Sequence, residues 1–416
     1  MLGWSLSLAD SCGADRKVVV WGAHGPEVKA RAEAAGALTA LQDPPMGTGH
    51  AVLCARDALA GFDGDVAVLF ADTPLIREAT LQAVFAALDT GTGIAVLGFE
   101  PENPTGYGRL IEDASGALTA IVEEKEASAE QKAVRLCNSG VLAAPARVLF
   151  ELLSRVTNDN AKGEYYLTDI VALGVAAGHS ARAVRASADE VMGVNSRANL
   201  AEAEAAFQAR ARAAAMEAGV TLIAPETVFF SHDTQIANDV IVEPHVVFGP
   251  GVRVETGAVI HAFSHLEGAH IGESVSVGPY ARLRPGTVLE TGARIGNFVE
   301  VKNAVLHTGA KANHLSYIGD ADIGAKANIG AGTITCNYDG FLKHRTIVGD
   351  GAFIGSNTAL VAPVTVGHGA FTGSGSVITS DVPDDALALA RAKQENRPGW
   401  AARFRRMMQA RKDKKN

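Results

Sequence analysis

His314 stands in the polar phrase His314-Leu315-Ser316-Tyr317-Ile318-Gly319-Asp320. An imidazole in such company can take a proton from an attacking amine near neutral pH. Arg284 and Lys302 could meet a phosphate dianion, the first as a bidentate fork and the second as a point charge. Asp72 stands two residues beyond the apolar run 66–70 and is the kind of oxygen ligand that Mg²⁺ prefers. Each also has a plain structural reading. A lone His is commonly structural, exposed cations are commonly solvated, and an Asp after a strand is commonly a cap or turn residue. The surrounding elements decide between these readings.

Between Lys17 and about Asn195, β-branched runs such as Val18-Val19-Val20-Trp21 and Gly93-Ile94-Ala95-Val96-Leu97 alternate with Ala/Leu-rich helical patterns. Alternation of this kind predicts an α/β nucleotide-binding (Rossmann-like) domain with a parallel sheet and helices on both faces. Residues 196–219 are rich in Ala, Glu, Arg and Gln, begin with a Ser cap and end at Gly219. They predict a linker helix. After Gly219 aliphatic or aromatic residues recur every six positions: Val242, Phe248, Val254, Ile260, Leu266, then Ile271, Val277, Leu283, Leu289, Ile295 and Val301. The series resumes at Ile323 and Ile329 and runs from Val348 to Val366, and many members precede a Gly. A period of six is the signature of a parallel β-helix with three short faces per coil. The pattern lapses at about 304–319 and 333–346, where loops leaving one side of the coil are expected. The expected domains are therefore 1–195, 196–219, 220–391 and a basic tail, 392–416.

A chain of 416 residues with 47% apolar and 20% charged residues has ample material for two cores. Its net charge of −9 speaks against general nucleic-acid binding. The lack of any apolar run of 18 residues or of a signal-like start speaks against membranes and for the cytoplasm. Cys12, Cys54, Cys137 and Cys336 are too scattered for a disulfide scaffold or a thiolate metal site. The end of the chain, Arg403 to Lys415, is locally basic and is read as a solvated tail. His261, His265, His270, His307 and His314 keep open a solenoid zinc enzyme of the carbonic anhydrase type, although no spacing demands it. A non-catalytic scaffold of hexapeptide repeats is a further alternative, and the polar segments at His314 and Asn337-Tyr338 speak against it.

The phrases Arg282-Leu283-Arg284-Pro285-Gly286, Gly296-Asn297-Phe298-Val299-Glu300-Val301-Lys302 and Asn328-Ile329-Gly330-Ala331-Gly332-Thr333-Ile334-Thr335-Cys336-Asn337-Tyr338-Asp339-Gly340 resemble the left-handed β-helix of one family. It is the family of bifunctional N-acetylglucosamine-1-phosphate uridyltransferases / glucosamine-1-phosphate acetyltransferases. The resemblance implies acetyl transfer from acetyl-CoA to glucosamine 1-phosphate. Uridyl transfer from UTP to N-acetylglucosamine 1-phosphate then gives UDP-N-acetylglucosamine for peptidoglycan and lipopolysaccharide. It implies His314 as base, with Arg284, Lys302, Tyr317, Asn328 and Lys343 at the sugar phosphate. Ala331, Asn337, Tyr338, Ser356, Ser374 and Arg391 are implied at acetyl-CoA, Ser374 standing where the family often has Ala. In the N-terminal half Gln42, Gly47 and Thr48, then Gly108, Glu123, Asn138 and Asn195, resemble the UTP and UDP-N-acetylglucosamine positions. Asp72 and Asn195 resemble its Mg²⁺ contacts, with Ala71 in place of the usual Gly. A homotrimer is implied as well. The family's domain opens with a strand and a Gly-rich phosphate loop, and this sequence opens with Met1-Leu2-Gly3-Trp4-Ser5. An N-terminally truncated uridyltransferase domain with weak or absent uridyl transfer is therefore expected.

Overall fold

The computed structural model describes residues 1–89, 91–160 and 162–415. The chain forms two compact units, 1–207 and 208–416. Their boundary falls inside the helix Arg197–Glu217, which forms where the Ala-rich linker predicts one.

In the first unit β1 (Val18–Gly22) and β2 (Leu38–Gln42) make a parallel pair joined through the helix Pro26–Ala34. A separate sheet contains β3 (Asp65–Val68), β4 (Ile94–Phe99), β5 (Arg109–Glu112), β6 (Leu118–Val122), β7 (Cys137–Pro145) and β8 (Ala181–Ala186). β4 carries no charged residue and is buried along its whole length, as a central strand covered on both faces must be. It runs parallel to β8 and antiparallel to β7, and β7 is also antiparallel to β3 and β5. The sheet is thus mixed, which corrects the parallel expectation. β7 alone makes it so, because it runs against β3, β4 and β5; β5 and β6 add a further antiparallel pair, joined by a tight turn in which Asp113 Oδ1 accepts the Ser115 and Ala117 amides and Gly116 takes a positive φ. No helix intervenes to keep those strands parallel. Between β1 and β3 lies a cavity of 780 Å³ whose walls are mainly aliphatic, Val18, Val20, Val66 and Val68 among them.

The second unit is a parallel β-helix. Three ladders of inward side chains run through it, such as Ile260, Val277, Ile295, Ala312, Ile329 and Ile354 on one face and Leu266, Leu283, Val301 and Ile318 on another. Every one of these is at most 3% exposed, and burying each Leu, Ile or Val contributes about 1.5–3 kcal/mol. The sextet pattern thus describes the core. One expectation fails: residues 304–319 do not leave the coil as a loop. They continue it through the strands Glu300–Leu306, Lys311–His314 and Tyr317–Ile323. The repeat is hidden there because Ala312 takes an inward position that larger aliphatic residues fill in neighbouring coils; Thr335 does the same at the start of the second lapse. Only the second lapse is a protrusion, closed by a bridge between Tyr338 and Lys343 with Phe341 at its tip.

Coils can stack this closely only where the corner lacks a side chain. A Cβ on Gly296 would fall 1.9 Å from the Asn313 carbonyl oxygen, far inside contact distance. Leu283→Ala should lower the stability of the β-helix by about 2–5 kcal/mol, whereas Arg282→Ala, on the exposed side of the same strand, should change it by less than about 0.5 kcal/mol. Denaturation of each variant followed by circular dichroism checks the contrast.

Candidate functional sites

Two residues beyond the paired inward residues Ile295, Ala312, Ile329, Ile354 and Thr372 stand Asn297, His314, Ala331, Ser356 and Ser374. They occupy one corner, one residue per coil. Asn297 Oδ1 lies 2.6 Å from His314 Nδ1. As acceptor it fixes the proton on Nδ1 and leaves the Nε2 lone pair free. The His314 carbonyl receives the Ser316 hydroxyl at 2.9 Å, so the residue is anchored at both ends while its ring stays exposed. Farther along the corner, the Arg391 guanidinium donates to the Ser374 carbonyl at 2.7 Å. The row therefore joins His314 to four of the positions expected at acetyl-CoA. Asn297 was not singled out from sequence; its place, like those of Ala331, Ser356 and Ser374, is the residue after a corner Gly, which marks the row but not the bond to His314.

The adjoining face collects charge. Arg284 pairs with Glu300 at 2.8 Å, and Lys302 lies against Lys343, whose neighbouring ammonium depresses the Lys302 pKa. Arg284 acts on Lys302 in the same direction. Two apposed ammonium groups are the arrangement that a dianion relieves. Beneath them Asp320 accepts Asn303 Nδ2 at 2.6 Å and Asn337 Nδ2 at 2.5 Å. Burial works against its charge, but these two amides with Lys343 and Lys302 hold its pKa below the ordinary value. Tyr317 joins the group because Gly319 has no side chain: a Cβ there would meet the Tyr317 hydroxyl at 2.4 Å. Asp320 thus ties the protruding segment, through Asn337, to the cation face. Within that segment Asp339 is held strongly acidic by His344 and by the Leu342 and Phe341 amides. Tyr338 is 60% exposed and donates to the Gly340 carbonyl at 2.6 Å. Asn328 sits on the strand Asn328–Ile329, in register between Lys311 and Phe353.

In the first unit Gln42 Nε2 donates to the Gly47 carbonyl at 2.9 Å. Gly47 has φ +106, and a Cβ there would lie 2.6 Å from the Tyr165 carbonyl oxygen, so only Gly lets the segment lie this close. The Thr48 hydroxyl accepts the Leu167 amide at 3.0 Å. The Asp72 carbonyl accepts the Val194 amide at 2.8 Å, which brings Asp72 and Asn195 to one place. Gly108 and Asn138 are joined by a backbone hydrogen bond of 2.9 Å. Glu123 lies beside Gly108 and is raised in pKa by burial. Sequence reading missed Arg109, which is 2% exposed. Its guanidinium donates to the Tyr107 carbonyl and lies 3.7 Å from Glu124, whose other oxygen accepts the Gly106 amide at 2.6 Å. An internal cation thus braces the turn that presents Gly108.

Among the described residues no group of three or more His, Cys, Asp or Glu side chains could hold a metal ion. The β-helix histidines instead face carboxylates: His261 meets Glu243, His270 meets Glu255, and His307 bridges Glu290 and Asp322. Asp72 and Asn195 offer a carboxylate and an amide oxygen, a hard donor set that fits Mg²⁺ completed by phosphate oxygens.

Residues 1–140 match the MobA-like NTP transferase domain. Residues 268–303 and 345–380 match the bacterial transferase hexapeptide repeat. The chain is 64% identical to the bifunctional protein GlmU of Maricaulis maris, over all of this chain and 92% of that protein. It is 60% identical to that of Caulobacter vibrioides, with 100% and 90% covered, and 58% identical to that of Azorhizobium caulinodans, with 97% and 91% covered. These matches do not support the expectation of an N-terminally truncated domain with impaired uridyl transfer, and they do not favour the zinc-enzyme or scaffold readings.

Asn297→Ala should lower the turnover number for acetyl transfer about tenfold to a hundredfold by freeing the imidazole, with uridyl transfer unchanged; steady-state assays of both reactions test this. Arg109→Met should cost the first unit about 1–3 kcal/mol through the unsatisfied Tyr107 carbonyl, with Arg109→Lys intermediate, as read from the thermal transition of that unit.

Proposed function

The chain belongs to the bifunctional GlmU family, which acetylates glucosamine 1-phosphate and transfers a uridyl group to the product, and we propose that its two units divide these reactions between them. In the β-helix, His314 Nε2 takes a proton from the amine of glucosamine 1-phosphate as the nitrogen attacks the acetyl carbon of acetyl-CoA. The carbon–sulfur bond then breaks and the coenzyme leaves as the thiolate, which the imidazolium can protonate. Arg284, Lys302 and Lys343 hold the phosphate, and Tyr317 and Asn328 hold the sugar. Asn337 and Tyr338 bracket the acetyl group, while Ala331, Ser356, Ser374 and Arg391 receive the coenzyme arm. The observation that carries this reading is the bond from Asn297 to His314 Nδ1, at the head of a corner row that continues to Ser374.

In the first unit Gln42, Gly47 and Thr48 receive the uridine end of UTP. Gly108, Glu123 and Asn138 receive N-acetylglucosamine 1-phosphate, whose phosphate oxygen attacks the α-phosphorus as pyrophosphate leaves. Asp72 and Asn195 would hold Mg²⁺, which neutralises phosphate charge when bound. The enzyme works as a homotrimer in the cytoplasm, where its nucleotide and coenzyme substrates are found. Support for the trimer comes from the corner beside His314. Phe263, Tyr280 and Phe298 stack there with centroids 4.9 and 5.2 Å apart, each at least 48% exposed, followed by Leu315 at 61%. A contiguous apolar row next to a reacting group is a surface that a second copy would cover.

His314→Ala should lower acetyl transfer by about 10²–10⁴-fold while uridyl transfer from supplied N-acetylglucosamine 1-phosphate persists. Asp72→Asn should do the reverse. Undiminished acetylation by the His314 variant would show that another group is the base.

A further inference from the structure

The basic end of the chain, expected as a solvated tail, contains the helix Trp400–Asp413. It begins after Gly399, which takes a left-handed φ of 74° that suits Gly, and it buries none of its residues. Trp400, Phe404, Met407 and Met408 recur at helical spacing and so share one face. Each is between 42% and 51% exposed, and the Trp400 and Phe404 rings stack at 5.1 Å. Arg405, Arg406 and Lys412 fall off that stripe. Between Trp400 and Lys415 seven cations face the single carboxylate of Asp413, in a chain whose net charge is −9. From Ala392 to Gly399 every residue is exposed and none is in a helix or strand, so an exposed linker separates the helix from Arg391, which is still bonded to the coil.

We propose that this helix docks on the surface of an anionic phospholipid bilayer, lying in the headgroup plane with its aromatic and Met face turned toward the acyl chains. A Trp-bearing apolar face with cations on the other side is the composition of an interfacial helix. The helix does not span a membrane, since no described helix is long and apolar enough to do so. A bilayer is favoured over a protein groove by charge. A dense negative lipid surface uses all the cations at once. Such docking is peripheral and reversible.

The test is co-sedimentation of the full chain with vesicles of phosphatidylcholine alone or with about 30% phosphatidylglycerol, in about 0.05 M NaCl, where charge attraction is weakly screened. The chain should pellet with the anionic vesicles only and be released in about 0.5 M NaCl. Trp400→Ser/Phe404→Ser and Arg405→Glu/Arg406→Glu should each reduce the bound fraction about fivefold or more, with the rate of acetyl transfer unchanged. Failure of the unaltered chain to pellet, or equal binding by either double variant, overturns the proposal. So does a loss of self-association in sedimentation velocity with vesicle binding intact, which would assign the helix to a second copy.

Discussion

The β-helix depends on a single constraint: successive coils must sit a strand's spacing apart at their corners as well as along their faces. Aliphatic side chains stacked inside supply the driving force, but backbone crossing backbone sets the limit. At Gly296, Gly330 and Gly355 an added Cβ would lie within 2.6 Å of the next coil. These glycines precede Asn297, Ala331 and Ser356, so the residues that permit stacking also define the row on which the acetyl-transfer chemistry is read. Core and site are two aspects of one corner.

The first unit obeys a different logic. There the backbone approaches itself where Met46 to Gly49 meet Tyr165 to Leu167, through amide–carbonyl bonds of 2.8 Å in both directions. Gly47 and Gly49 are tolerated because the opposing strand of backbone leaves no space for a side chain. The segment 46–49 is therefore fixed against 165–167 by main-chain contact, and Asp72 and Asn195 are brought together in the same manner by Val194. Main-chain bonds do most of the positioning, and the Gln42 and Thr48 side chains add bonds to the same backbone.

Much of this was legible in the residues. Sextet spacing gave the inward positions because each coil repeats one environment, and the Ala-rich linker gave the helix Arg197–Glu217. What was not legible has identifiable causes. Ala312 fits inside the coil but breaks an aliphatic pattern, so a continuous coil read as a loop; Thr335 likewise hid the strand Ile334–Cys336 at the start of the second lapse. One strand, Cys137–Pro145, runs against its neighbours and makes the sheet mixed, and strand direction leaves no mark in the alternation of apolar runs. Asn297 acts by accepting a bond from a residue 17 positions later, and no local pattern announces such a pairing. Arg109 looked like any surface cation until burial placed it beneath the Gly106–Gly108 turn. In the tail, which is exposed throughout as a solvated segment would be, charge hid a second pattern, the helical periodicity of Trp400, Phe404, Met407 and Met408.

Local preference and tertiary structure disagree most openly at the corner that carries Phe263, Tyr280, Phe298 and Leu315. All four take positive φ, between 51° and 60°, a region that bulky residues avoid at a cost of about 1–2 kcal/mol each. Burial does not repay that cost, since the side chains remain about half exposed or more; ring stacking returns only part of it. Gly or Asn would satisfy the backbone at less expense. A chain that places large apolar groups in strained, exposed positions on consecutive coils, ending one residue from His314, is trading stability of the single coil for a surface. Violations of local rules concentrate where function requires them, and this corner, rather than the well-packed interior, is where the second unit departs furthest from an ideal solenoid.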